Sequence, residues 1–306
     1  MKEQLIRESE KTAIGRYLLN MGRKVINKLK ENRIILYFKD RRDLHKFFGY
    51  LNDDDYIYEK EIELLPKILS FGDKAFDIGA NIGPYTYYLS KIVGAAGTVY
   101  SFEPGKRAYN LLTSVLKKYN LDNVQSFNIA VSDQSGQVTL HVPFYNTGHA
   151  QIDNKDPIKG KKEVVHTITL DEFYFNNSIE NLRFIKCDCE GAELKVFQGG
   201  TNLLKKEKPI ILCEIAEIYS VKFGHSSNEV LKFLSELGYK CFVYDYKREI
   251  LVPTYETRFV GTGHVWSRKS ANLANNNYVF IHESEIDNFK TYIKFNEVKN
   301  EKEKAK

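Results

Sequence analysis

Asp77-Ile78-Gly79-Ala80-Asn81-Ile82-Gly83 is the stretch on which the fold turns. A short apolar run, residues 75–78, leads into it, and residues 85–93 beyond it read as a helix. Glycines in such a turn let the backbone come close to a ligand without Cβ clashes, and the helix start offers unpaired N–H groups. Glu103 ends the next apolar strand, 20 residues after Gly83, where a carboxylate can accept both ribose hydroxyls of an adenosine. Two cofactor classes use this geometry. Dinucleotide sites favour G-x-G-x-x-G, whose middle glycine admits a pyrophosphate. Here the spacing is G-x-x-x-G, with Ala80 in place of a second close glycine. Asp77 adds negative charge that suits an ammonium and opposes a phosphate. Charge therefore favours S-adenosylmethionine, which carries an ammonium and a sulfonium, over NAD.

Working outward, residues 98–102 read as a strand, 107–119 as a helix and 124–131 as a third strand. The rhythm then breaks. Residues 137–142 and 164–170 alternate apolar and polar side chains, as a half-exposed antiparallel pair does, around a polar loop at 143–162. Strand and helix then resume: strands at 184–189, 209–215, 240–244 and 277–281, helices at 192–198, 201–206 and 228–237. Strands separated by helices imply a mostly parallel sheet, because parallel neighbours need crossover connections. The expected fold is α/β and Rossmann-like, with helices on both faces of the central sheet and an antiparallel insertion. Residues 55–285 would form this domain, residues 1–54 a helical N-terminal extension, and residues 286–306 a charged tail.

The chain has 306 residues, 42% hydrophobic and 28% charged, with a formal net charge of +5. That excess is mild and does not demand nucleic acid. No run approaches the roughly 18 apolar residues of a membrane span, and the charged N-terminus has no apolar block behind it. A cytoplasmic location is expected. Cys187, Cys189, Cys213 and Cys241 fit reduced core thiols, with no metal expected. Ile14, Leu18, Met21, Val25 and Leu29 make an apolar stripe among basic residues in the N-terminal extension. Packing on the main domain or a second subunit is the plainer reading of that stripe, which makes a homodimer reasonable; weak contact with a membrane surface is the sharper one.

Ligands of open α/β sheets bind beyond the carboxyl ends of the strands. Asp77, Glu103, Asp188 and Glu214 stand at four such ends and would make a negative cleft for a cationic cofactor.

These residues also carry a resemblance. Asp77 to Gly83, Phe102-Glu-Pro104, Thr169-Leu-Asp171, Lys186-Cys-Asp-Cys-Glu-Gly-Ala-Glu193, Gln198-Gly-Gly200 and Pro209-Ile-Ile-Leu-Cys-Glu214 resemble the FkbM family of methyltransferases over about residues 55–245. Cys187 and Cys189 stand where that family usually has Ile or Val. The resemblance implies S-adenosylmethionine as donor and a hydroxyl of a sugar, glycan or other natural product as acceptor. Carried onto this chain, it implies that Asp77, Gly79, Asn81 and Gly83 hold the methionine part, that Glu103 holds the ribose, and that Asn128, Ala130 and Ser132 lie against the adenine.

A hydroxyl is a poor nucleophile until its proton leaves, so a general base is useful. Asp188, ending the strand expected beside the first, is the leading candidate. Glu190 is next, and Glu214 could orient the acceptor. Glu193 reads as a helix-start acid. A histidine could also serve as base near neutral pH, and His149 is the best placed, in the long loop with Phe144 and Tyr145, whose faces suit sugar stacking; His141 and His166 fall in strand-like runs and read as packing or surface residues. Lys186 reads as lying before the rim, with no chemistry assigned. The rivals are an NAD-dependent oxidoreductase, an RNA-binding methyltransferase and a non-catalytic binding protein.

Overall fold

In the computed structural model the described residues are 59–143, 151–152, 160–255 and 276–293. The N-terminal stripe, His149 with its aromatic neighbours, and the end of the charged tail lie outside them. Ile57–Lys306 forms one compact unit.

The central sheet has eight strands. Five run parallel in the order β9 (Ile210–Glu214), β8 (Leu182–Cys187), β1 (Lys74–Ile78), β2 (Thr98–Phe102), β3 (Val124–Phe127). Beyond β9 the sheet turns antiparallel through β12 (Asn277–His282), β10 (Tyr239–Asp245) and β11 (Ile250–Pro253). A second sheet joins β4 (Ala130–Val131), β7 (Gly160–Ile168), β5 (Gly136–Pro143) and β6 (Gln151–Ile152), with β5 and β7 forming the expected antiparallel insertion.

Apolar side chains pack both faces of the central sheet, as an α/β fold requires. On one face Phe173 meets the rings of Phe76, Tyr100, Phe102 and Phe127 at centroid distances of 4.7 to 5.8 Å. Ile211, Val230 and Leu234 continue that layer. On the other face Leu89 and Val93 of the helix Pro84–Val93 cover Ala75, Val99, Phe184 and Leu212.

Three elements differ from expectation. The run 124–131 is two strands, because the chain leaves the main sheet at Asn128, whose amide donates to the carbonyls of Glu103 and Pro104 at 2.9 and 2.8 Å. The strand expected to reach residue 170 stops at Ile168. Thr169 Oγ1 accepts the Glu172 N–H and starts the helix Leu170–Asn176. The domain also runs past residue 285: Phe289 and Ile293 are buried in the core, and Ile293 bridges Leu251.

Candidate active site

The turn after β1 is built backbone against backbone. Gly79 and Ala80 both donate to the Phe102 carbonyl at 3.0 Å, and Asp188 N donates to the Ile78 carbonyl at 3.0 Å. Gly79 has φ +80°, and a Cβ there would lie 1.8 Å from the Asp188 carbonyl oxygen. The glycine thus makes room for the neighbouring strand's loop as well as for any ligand. Gly83, φ +99°, starts the helix Pro84–Val93 in the left-handed region, where a Cβ would meet Leu112 at 2.7 Å. Gly83 answers to protein packing, whereas Gly79 answers to packing and also borders the open space above the turn.

Asp77 is 2% exposed beneath this turn and accepts the Thr86 hydroxyl at 2.5 Å. Burial pushes its carboxyl up to about 6, against the Thr86 bond and the charge of Lys186. Glu103 accepts the Asn81 N–H on Oε2 at 2.8 Å and the Gly105 N–H on Oε1 at 2.7 Å. Burial nonetheless raises it to about 7. A carboxylate has about four acceptor sites, so each oxygen keeps capacity for a further hydroxyl.

A solvent-open cleft of about 610 Å³ lies above the turn. Gly79, Asn81 and Glu103 line it, with Ala130 and Leu140 from the second sheet and Asp188 and Glu190 from the loop after β8. The wall expected of Asn128 and Ser132 is supplied by Ile129 and Val131. Asn128 turns its amide to the Glu103 loop, and the Ser132 hydroxyl bonds Asp133 at 2.9 Å. His166 is exposed on β7.

Asp188 also borders a smaller hollow with Glu190, Glu214, Ala216 and Tyr219. Glu190 holds a left-handed φ of +52°, and its carboxylate shares a hydrogen bond with the Tyr219 hydroxyl. Glu193 closes the loop from below, accepting the N–H groups of Cys189 and Gly191 at 3.0 Å each; burial pushes it up to about 7. Glu214 is driven well above the ordinary carboxylate range, first by the charge of Asp188 and then by burial.

Lys186 corrects the sequence reading. It is 1% exposed and its ammonium reaches the rim, 3.8 Å from Asp188 Oδ2 and 3.3 Å from Asn277 Oδ1, over the Tyr85 ring at 4.8 Å. Burial opposes its charge, but Asp188, Glu59 and Glu214 outweigh that and hold its pKa up. The signal lies in strand parity: Lys186 shares the face of Phe184, which is packed in the core. A lysine at such a position needs partners. Tyr85 and Asn277, both bonded to Glu59 Oε2, complete the surroundings and were likewise not singled out.

Among the described residues no group of three or more His, Cys, Asp or Glu side chains is arranged to hold a metal, and no helix is long and apolar enough to cross a membrane.

A mostly parallel sheet with helices on both faces, a glycine turn at the end of its first strand and an acid closing its second define a Rossmann-like α/β fold. Residues 77–241 match the methyltransferase FkbM domain, and the chain belongs to that family. It is 27% identical over 180 residues to the hexuronic acid methyltransferase AglP of Haloferax volcanii, an alignment covering 57% of this chain and 66% of AglP. Among solved structures it is similar to a methyltransferase FkbM from Methylobacillus flagellatus, with TM-score 0.41 and 15% identity over 72% of this chain and 50% of that one. A SAM-dependent methyltransferase from Aquifex aeolicus gives TM-score 0.36 and 17% identity over 65% of this chain and 91% of that one. The chain thus spans two thirds or less of AglP and of the Methylobacillus protein, and these two structural likenesses carry nothing about chemistry.

Proposed function

We propose that the chain transfers a methyl group from S-adenosylmethionine to a hydroxyl of a sugar or glycan. The observation that carries this is the cleft itself: one wall offers Glu103 with acceptor capacity to spare, and the opposite wall offers Asp188. The acidic surroundings suit a cationic donor and resist a pyrophosphate. The AglP relationship supports a sugar acceptor, since that relative methylates a hexuronic acid.

In this reading Glu103 accepts the ribose hydroxyls, and Ile129, Ala130 and Val131 with Leu140 form an apolar wall for the adenine. Gly79 and Asn81 flank the methionine part, with Asp77 bracing the turn from beneath and Gly83 starting the helix behind it. The bound donor supplies a methyl made electrophilic by its sulfonium. Asp188 takes the proton of the acceptor hydroxyl as the oxygen attacks, and Glu190, which also lines the cleft, orients the acceptor, with Glu214 packed behind them. Most of the acceleration comes from holding the oxygen in line. Residues 1–54 are assigned to packing on the main domain or on a second copy of the chain, the loop carrying His149 to acceptor binding, and the enzyme to the cytoplasm.

The test is calorimetric titration with S-adenosylhomocysteine and with NADH, followed by methyl transfer to a panel of neutral hexoses and hexuronic acids. Binding of S-adenosylhomocysteine alone is expected. Asp188→Asn should keep that affinity within about threefold and lose at least about 100-fold in turnover, the usual share of a general base. Binding of NADH instead, or a variant with full turnover, would overturn the reading.

A further inference from the structure

We propose that Lys186 is a positioning residue that sorts the protons of the acid pair Asp188 and Glu214: its buried ammonium pairs with Asp188, and Glu214 carries the proton. The inference deepens the proposed function and rests on Asp188 being the base.

Strand geometry places the three groups. Lys186 stands opposite Asp77 in the β1–β8 register, and Asn277 opposite Glu214 in the β12–β9 register. The ammonium therefore lies between two adjacent rows of polar residues on one face of the sheet. It is bonded to Asn277 on one side and 3.8 Å from Asp188 on the other. Other groups face it as well. Asp77 approaches from β1, Glu59 from the segment before the first helical turn, and Tyr85 from the helix Pro84–Val93, while Cys213 of β9 lies on the opposite face of the sheet. Glu190 and Tyr219 bear on Glu214 from the far side of the hollow.

One cation cannot neutralise this many acids. Two carboxylates sharing a hollow do not both ionise cheaply, and the one nearer a fixed positive charge keeps its own. The direction of the Glu214 shift agrees: Asp188 pushes it up and Lys186 opposes. Two acids of one rim are thereby given opposite states, a proton acceptor in Asp188 and a hydrogen-bond donor in Glu214. Lys186 touches neither donor nor acceptor and acts through Asp188.

Infrared difference spectroscopy of the full chain at neutral pH, without donor or acceptor, tests this. Among the protonated-carboxyl stretches of the wild type, to which Glu103 and Glu193 at about 7 also contribute, one should be lost in Glu214→Gln. Lys186→Met should add a further band to the wild-type set, which disappears when Asp188→Asn is combined with it. Asp188→Asn alone should abolish the Glu214 band, because the ammonium then falls to Glu214. An unchanged spectrum in Lys186→Met, or a Glu214 band that survives Asp188→Asn, overturns the proposal. Should Lys186→Met fail to fold, Asp188→Asn alone decides. A lysine that only filled space would alter the melting temperature and leave these bands in place. Failure of S-adenosylhomocysteine to bind the wild type would sink the methyltransferase reading and leave the infrared result standing.

Discussion

In the proposed function Glu103 is the residue on which donor recognition depends most, because the same two oxygens that brace the turn would also accept the ligand. In the free protein those oxygens hold the N–H groups of Asn81 and Gly105. Glu103→Gln keeps the size but replaces one acceptor with a donor, which then faces an N–H. The expected result is S-adenosylhomocysteine binding weaker by about 10- to 100-fold, in line with about 1.5–3 kcal/mol for a hydrogen bond to a charged group. Calorimetry measures it, and an affinity unchanged within error would remove Glu103 from the site. Its neighbour in role, Asp77, is legible in sequence as an acid near the turn. What is not legible is that Thr86 takes its carboxylate. That contact comes from one turn into the following helix and has no signature in spacing.

At the scale of elements, the packing of Phe173 onto one face of the central sheet is the event that fixes the helix Leu170–Asn176. Its ring touches aromatic side chains from β1, β2 and β3. Phe173→Ala should destabilise the domain by about 3–5 kcal/mol, read as a shift in the urea midpoint; a loss below about 1 kcal/mol would mean the aromatic cluster repacks. This helix is also where sequence reading fell short. The run Leu-Asp-Glu-Phe-Tyr-Phe is rich in strand-favouring aromatics, but Thr169 with Glu172 three residues on is a helix-start pattern. The signal was present and was outweighed by the alternation before it. By contrast, the break at Asn128 carries no local signal, because the bonds that divert the chain reach back to Glu103 and Pro104. The alternation of β1, β2 and β8 with helices was readable because strands buried on both faces appear as short continuous apolar runs. Lys186 interrupts one such run, and a buried lysine resembles a surface one until the strand's neighbours are known.

For the whole molecule, buried acids set the dependence of stability on pH. Burial, as the largest cause in each case, holds Asp77 at about 6, Glu103 at about 7 and Glu193 at about 7 in the folded state. Their ordinary values are 3.8, 4.5 and 4.5. Between the two sets the folded chain binds more protons than the unfolded one, so stability is greatest below the ordinary values and is lost as pH rises through the folded ones. His282, lowered chiefly by burial, works in the opposite direction. Glu214, driven well above the ordinary range, adds to these three, and four groups against one predict a lower melting temperature at about pH 8 than at about pH 5 for the ligand-free protein. A scan that is flat or rises across that interval would contradict the burial of these carboxyls. The sheet order has a further consequence for how the molecule is made. β12 lies between β9 and β10, both synthesised before it, and it brings Asn277 to the Lys186 ammonium. Until residues 277–282 have left the ribosome, β9 lacks its neighbour on that side, and a buried cation lacks a ligand. The nascent chain therefore waits with a gap in the middle of its sheet, and β12, the last strand among the described residues, both closes that gap and gives the buried ammonium its Asn277 ligand, so translation order places completion of the candidate site late in folding.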